Sequence, residues 1–544
     1  MNDAAAGPRA PATIATLLAI LALAAFLRFT ALDFGSALPY ARPDENRIAG
    51  YADWLATETP DPARQRPSFA YPALFPRLVA WARPGVELLW PPPPDAPAHV
   101  TAHRAARVLS ATAGVATVLL LFLLARRVAG GAAGLLAATL LAVAPLHVRD
   151  SHFGVTDVAL GAATTATLLL LAASQHWPRR RRFLLCGAAL GVAAAIKQPA
   201  IWLLAPFLLE ALRPAVDAAP GIAPGSRLAA AARTLGLAIV VAAVAFLVLN
   251  PGAVVEPRRF LAENWFELTH KSEGAADFAQ RGWITHARAT LPWGLGWPVA
   301  LALVPGALLL LTRRSRAGAI VLAFALAWYV GMGSGTRTFA RYMVPLLPVA
   351  ALLAAVALQS LAARLPARLR LPATLAVLAA LAFPGARAAT TGNRLLAATD
   401  SRTLTADWLA AQLRDGERVL WIDRYTWPFP PGHDARFDLR DGPALARELP
   451  PEVAPIDALR GGGWSHVVLA DHWLTSHQAL PAALRAAIAP ALEEVARFGP
   501  LAEPRQRDSV SPSFDRGDLF FVPLAGFDGF VRPGPFLAVH RIRK

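Results

Sequence analysis

Apolar runs long enough to cross a bilayer recur through the first 389 residues of the chain, and they restrict its fold more than any other feature. A helix needs roughly 17 to 25 residues to traverse about 30 Å of hydrocarbon. Runs of that kind fall at 11–29, 104–125, 131–147, 157–174, 231–249, 294–312, 317–333, 341–362 and 371–388. Inside lipid, a backbone with no water to bond must satisfy itself, which helices do within one segment. Composition agrees: 55% of the 544 residues are apolar and only 17% are charged, against about 25% charged in soluble domains. The chain reads as a polytopic α-helical membrane protein.

One run resists simple assignment. Residues 183–212, "FLLCGAALGVAAAIKQPAIWLLAPFLLEAL", would make a helix about 45 Å long, too much for one straight crossing and short for two. Lys197, Gln198 and Pro199 sit at its centre, which suits two short helices turning at the membrane surface. Charge placement chooses between the options. Taken as two helices, the run gives about eleven spans and puts "ARR" (125–127), "RRRR" (179–182), "RRSR" (313–316) and "ARLPARLR" (363–370) on one side, with Arg213, Arg227 and Arg233. Taken as one, it splits them. The positive-inside rule therefore favours two helices and a cytoplasmic N-terminus. Arg9 before the first apolar run also fits a signal peptide, but the many later spans favour an uncleaved anchor.

The net charge of +16 belongs to this topology: the basic clusters lie between apolar runs, where they face lipid headgroups, and imply no nucleic-acid partner. The single cysteine, Cys186, excludes a disulfide framework and a cysteine-rich metal site. Residues 390–544 have ordinary soluble composition. Short strands are predicted at "RVLWI", "HVVLA", "DLFFV" and "FLAVHRI", and helices at "SRTLTADWLAAQL" and "LPAALRAAIAPALEEVARF". This is the pattern of a small α/β domain outside the membrane, following a transmembrane module of residues 1–389. The sequence contains no Gly-rich phosphate loop, HExxH motif or visible internal repeat.

The extracytoplasmic side collects residues 30–103, 148–156, the turn at Lys197, 250–293 and 334–340, and with them nearly all the candidate chemistry. Asp44 and Glu45 follow the first span in "ARPDENRIAG"; the simpler alternative is a helix start with Asp44 as N-cap after Pro43. "PLHVRDSHFGVTDVAL" (145–160) supplies Arg149, His152 and Asp157, the last where an apolar helix begins. An acid at membrane depth is a functional candidate by default, with helix capping as its alternative. Lys197 sits at the outer turn, where it either binds a ligand or snorkels. "GTRTFARYMVPLLP" (335–348) puts Arg337 and Arg341 outside, against the positive-inside trend, where they ask for a local anion.

Acids to manage a proton and cations to hold an anion on one face suit transfer chemistry on a lipid-linked phosphate. On these residues the chain resembles the GT-C superfamily of polyprenyl-phosphate-dependent glycosyltransferases, in the branch with protein O-mannosyltransferases and the lipid A aminoarabinose transferase. The resemblance spans roughly residues 11–390. It rests on Asp44–Glu45 in the first outer loop, "RDSHFGVTD" between the third and fourth spans, "KQP" between two short helices, and "RYMVPLLP" entering a late span. One departure stands out: the branch usually has Arg five residues before the acid, where this chain has His152, with Arg149 displaced upstream.

The resemblance implies an inverting membrane glycosyltransferase that moves a sugar from a polyprenyl-phosphate donor to an extracytoplasmic acceptor. Asp44 matches the family's catalytic acid, with Glu45 orienting the loop or acceptor. Lys197, Arg337 and Arg341 are the candidates for the donor phosphate. No metal is expected to be obligatory, although Asp44, Glu45 and Asp157 could hold a hard divalent cation with waters. A lipid-linked sugar flippase or transporter would use the same outer charges, but calls for internal repeats; a polysaccharide assembly scaffold is a third reading. Abundant alanine and arginine-over-lysine usage point to a GC-rich bacterial genome and an inner membrane. An alkaline phosphatase fused after residue 390 is expected to be active and a fluorescent protein at the same position dark; the reverse pattern would invert this topology.

Overall fold

The computed structural model describes residues 9–36, 38, 41–56, 67–94, 96–97, 99–216, 224–269, 280–336, 338–423, 436–440, 445, 454–474, 478, 480–515 and 521–543. The chain divides into two compact units: residues 1–30, 48–84 and 105–390 form one, and residues 31–47, 85–104 and 391–544 the other. Its first ten helices are α1 (Arg9–Phe29), α2 (Pro43–Ala56), α3 (Leu74–Leu89), α4 (His99–Ala129), α5 (Gly131–Ala142), α6 (Pro145–Asp150), α7 (Thr156–Ala173), α8 (Arg179–Ile196), α9 (Leu204–Val216) and α10 (Pro224–Leu249). Longer helices follow at Leu303–Thr312, Arg316–Met332, Leu347–Ala363 and Ala367–Ala397. Among the described residues six helices are long and apolar enough to cross a membrane, and shorter apolar helices cover 131–142, 297–312 and 316–332. This is a multi-pass helical membrane protein.

Where an apolar run is broken, the cause is local. The run 131–147 divides between α5 and α6 because Pro145 opens α6 at its first position, where a missing N–H costs nothing. The run 294–312 divides at Gly296, whose φ of 90° is a left-handed conformation that glycine adopts without a Cβ clash.

The segment 183–212 is a hairpin. α8 ends at Ile196, Lys197 is extended (φ −160°, ψ 134°), and a 3-10 turn over Gln198–Leu203 leads into α9. Pro199 favours this break, since proline disfavours helical backbone in the residue before it. The two ends then meet: Arg182 on α8 pairs with Glu210 on α9 at 2.7 Å. A straight helix would hold residues 28 positions apart about 42 Å from each other.

Glu210 is buried and gathers the basic clusters. Besides Arg182 it accepts from Arg316 Nε at 2.8 Å and lies 3.9 Å from Arg213. Arg179 donates to Ala211 O at 2.7 Å and to Thr234 Oγ1 on α10 at 3.1 Å. Arg313 reaches Ser360 Oγ at 3.0 Å, and Gln359 reaches Ala129 O at 3.2 Å, at the end of α4. These contacts join α4, α8, α9, α10 and the helices Arg316–Met332 and Leu347–Ala363 through all four arginine clusters or their immediate neighbours. Away from the basic end, α8 lies on α10 through Gly187 and Gly191. A Cβ at Gly187 would come within 2.6 Å of Ala238 O, and one at Gly191 would strike Ala242 O; this is small-residue packing at the spacing membrane helices favour.

The second unit contains a five-stranded sheet of β1 (Val419–Ile422), β2 (Phe437–Arg440), β3 (His466–Asp471), β4 (Leu492–Phe498) and β5 (Phe536–Ile542), in the order β2-β1-β3-β5-β4. β1 runs parallel to β2 and β3, while β5 is antiparallel to β3 and β4. Leu409, Trp421, Val467, Val468 and Val539 are central to its core. The helix Ser401–Gln412 starts at Asp400, which accepts from Arg402 N at 2.9 Å.

Two sequence expectations are corrected here. The helix predicted through "LPAALRAAIAPALEEVARF" stops at Ile488, a 3-10 turn carries Pro490, and "LEEVARF" is β4. Proline interrupts the helical pattern, and β5 then supplies a partner for the freed backbone. In "DLFFV", residues 518–520 lie outside the described residues, and Phe521 and Val522 form a bend, not a strand. β2 went unread.

Removing one partner of a buried ion pair typically costs about 3–5 kcal/mol, because the other charge remains buried. Glu210→Ala is therefore expected to lower the thermal unfolding temperature of detergent-purified protein sharply, and Glu210→Gln less so. An unchanged transition in Glu210→Ala would show that the arginines do not depend on it.

Candidate functional site

Within the membrane unit, two sequence candidates form one ion pair. Lys197 Nζ donates to Asp157 Oδ1 at 2.7 Å, with the lysine side chain 17% and the aspartate 5% exposed. Asp157 lies in the first turn of α7, whose N-cap is Val155, so it does not act as the cap the simpler reading allowed. Lys197 owes its position to the hairpin break. Neither role was assigned to the other residue from sequence.

Gln198 fixes the same break from the other side. Its Nε2 donates to Asn264 Oδ1 at 2.7 Å and to Ala70 O at 3.0 Å. Asn264 belongs to the helix Pro257–Thr269, and on that helix Glu263 Oε2 accepts from Phe69 N at 2.6 Å and Ser68 Oγ at 2.9 Å. Arg259 Nε binds Glu263 Oε1 at 2.6 Å. Burial alone would raise Glu263, but Arg259, the Phe69 N–H and Ser68 outweigh it and hold the carboxyl below its ordinary value. Segments 67–73, 197–198 and 250–264 thus share one face, as two helices in 183–212 require; a single crossing would send residues 250–264 to the side opposite 67–73.

Arg149 and His152 belong to the α6 junction. Arg149 lies 3.8 Å from buried Asp150, and its Cζ sits 5.4 Å from the Phe153 ring centroid. His152 is buried with Nδ1 2.8 Å from Val148 O and Nε2 2.7 Å from Thr30 O; it fastens the junction to the end of α1. Arg28, unremarked in the sequence, works beside it: fully buried, it donates to Ala142 O at 2.9 Å and Leu141 O at 3.1 Å and contacts His147 Nδ1 at 2.9 Å. An arginine inside an apolar run was the available signal, since such a charge demands acceptors. Arg341, in the 3-10 turn Ala340–Leu346, stacks over Phe339 with Cζ 4.4 Å from the ring centroid. That turn packs against α6, α7 and the helix Arg316–Met332, and Trp328 Nε1 anchors it on Tyr342 O at 2.8 Å. Arg337 lies outside the described residues.

Asp44 and Glu45 belong to the second unit. α2 begins at Pro43, so both acids occupy its first turn, and Asp44 is a helical residue rather than a cap. Glu45 is fully buried while Asp44 is half-exposed. The turn is anchored to the start of α4, where His103 Nε2 lies 2.9 Å from Asn46 Oδ1. One residue on, Arg104 binds both carboxylate oxygens of Asp33 at 3.0 Å and stacks on Trp90 at 4.3 Å. Neither His103 nor Arg104 was singled out in the sequence, where they read as part of a span. Among the described residues no three His, Cys, Asp or Glu side chains gather as a metal-binding group.

Comparisons with known proteins bear on the fold. Residues 100–246 match the family model for dolichyl-phosphate-mannose-protein mannosyltransferase. The structure is similar to ArnT from Cupriavidus metallidurans in the apo state, with a TM-score of 0.55, 18% identity, and coverage of 90% of this chain and 97% of that one. ArnT from the same organism bound to undecaprenyl phosphate aligns with a TM-score of 0.51, 20% identity and coverage of 88% and 96%. The Archaeoglobus fulgidus oligosaccharyltransferase aligns over 84% of this chain and 69% of its own, with a TM-score of 0.50 and 15% identity. No curated protein sequence matches. The fold is that of the GT-C membrane enzymes. The family match lies within that fold and covers residues 100–246 of the 544.

Burial lowers His152 from 6.5 to about 4, outweighing the two carbonyls that favour the protonated ring. Between those values the unfolded chain binds the extra proton, so stability is fully present above pH 6.5 and is lost as pH falls toward 4. His152→Gln is expected to flatten this part of the dependence of unfolding temperature on pH from 7.5 to about 4.5. An identical slope in the variant would contradict the assignment.

Proposed function

We propose that this chain is an inverting glycosyltransferase that moves a sugar from a polyprenyl-phosphate donor to an acceptor outside the cytoplasm, in a bacterial inner membrane with the N-terminus inside. The observation that carries the reading is the Lys197–Asp157 pair, a cation held in place on the face opposite the arginine clusters. It occurs in a fold shared with an ArnT bound to undecaprenyl phosphate.

The chemistry assigns each group a step. Asp44, the accessible member of its pair, takes the proton of the acceptor hydroxyl as that oxygen attacks the anomeric carbon. The bond from that carbon to the phosphate oxygen breaks on the opposite face, and its electron pair leaves with the phosphate. Charge grows on the phosphate as an oxocarbenium-like centre forms, so fixed cations stabilise this stage. Lys197 and Arg341 serve there, with Arg337 as a third. Asp157 holds Lys197 aimed until the phosphate competes for it. Glu45, wholly buried, orients the turn that carries Asp44. The chain's own cations meet the phosphate charge, so no metal is obligatory.

Radiolabelled sugar on a synthetic polyprenyl phosphate tests this directly. The purified protein is expected to release the sugar to an acceptor. Asp44→Asn should cut the rate by about 100-fold to 10,000-fold while donor affinity persists, and Lys197→Ala and Arg341→Ala should weaken donor affinity. Normal turnover by Asp44→Asn would remove it as base. Movement of the intact lipid across vesicles without transfer would replace the enzyme by a flippase.

A further inference from the structure

The four arginines that open α8 do different jobs. Arg182 is committed to Glu210 and to Leu171 O at 2.7 Å, and Arg179 to Ala211 O and Thr234. Arg180 and Arg181 are exposed, and among the described residues neither forms an ion pair. They line an open cleft of about 530 Å³ with Pro178, Leu184 and Leu185. Arg181 also stacks on Trp177, with Cζ 5.1 Å from the ring centroid.

Below the cleft the surface turns apolar along one stripe. Leu185 is 43% and Val192 40% exposed, seven residues apart and so on one side of the helix. The other side is occupied by α10 through Gly187 and Gly191. Two guanidinium groups, a neighbouring tryptophan and an exposed apolar stripe lie along the start of α8 on the arginine-rich face. Aromatic rings of this kind mark the membrane–water boundary, and basic pockets on the cytoplasmic side of membrane helices recognise lipid phosphates.

We propose that the start of α8 is a binding site for an anionic phospholipid of the cytoplasmic leaflet. Its phosphate lies between Arg180 and Arg181, and an acyl chain follows Leu185 and Val192. The bound lipid covers the two charges that no protein acceptor takes and anchors α8, whose far end presents Lys197.

Native mass spectrometry of the purified full chain, titrated with phosphatidylglycerol or with phosphatidylcholine of the same acyl chains, tests the site. Tight binding is expected for phosphatidylglycerol only. The Arg180→Gln, Arg181→Gln pair should weaken it roughly 30-fold, from about fivefold per cation, without changing the unfolding temperature in lipid-free detergent, because Arg182 and Glu210 are untouched. Arg364→Gln with Arg368→Gln removes equal charge from the same face and should leave binding intact; an equal loss there would reduce the effect to general attraction and overturn the site. Glycerol phosphate should compete poorly and Leu185→Asn should weaken lipid binding. Full competition by the free headgroup, or no effect of Leu185→Asn, would show a phosphate contact without a lipid site.

Discussion

Glu210 closing onto Arg182 is the interaction from which the membrane unit takes its arrangement. A carboxylate inside an apolar helix is costly unless it is paired, and pairing it with an arginine 28 residues earlier requires the chain between them to go out and return. That single closure makes 183–212 a hairpin, sets the parity of every later crossing, and gathers Arg213 and Arg316 at the same carboxylate. Arg316, arriving from a helix far along the chain, confirms the direction of return. Without the closure, the charge asymmetry would remain a statistical rule instead of a set of contacts.

The far end of the hairpin inherits its chemistry from this arrangement. Lys197 is extended because α8 must stop there, and an extended lysine beside α7 meets Asp157. Gln198 then finds Asn264 and the Ala70 carbonyl, so three outer segments are tied together at the position where the cation is held. The proposed donor site is in this sense a product of topology: the elements that reverse the chain are those that present the charge. Asp44 is prepared separately, in the other unit, by a helix whose first turn buries Glu45 and leaves Asp44 accessible.

Much of this was legible in the sequence, and the gaps have physical causes. Apolar length marked the six described helices long enough to cross a membrane, and "KQP" marked the reversal. Arginine placement chose the two-helix reading that the Arg182–Glu210 contact bears out. Contacts between distant segments were not legible: Lys197 and Asp157 were separate candidates because nothing in their spacing links α7 to the hairpin. Glu210 and Arg28 were absorbed into apolar runs, although each is a buried charge whose partners had to exist. "LEEVARF" was read as helix because Glu, Ala and Arg favour one; a strand partner more than forty residues later overrode that preference. The alternative of Asp44 as N-cap fails because Pro43 itself begins the helix, which puts Asp44 within the first turn.

The hairpin can be tested by which side of the membrane two residues face. In a Cys186→Ala background, with cysteine placed singly at Arg180 and at Glu267, intact cells are treated with a maleimide that cannot cross the inner membrane. Both positions are exposed, and the native thiol is buried and removed. The structure predicts labelling at 267 in intact cells and at 180 only after the membrane is opened. Labelling of both positions from the same side would contradict it, since residues 183–212 would then cross once and the face carrying Lys197 would not exist.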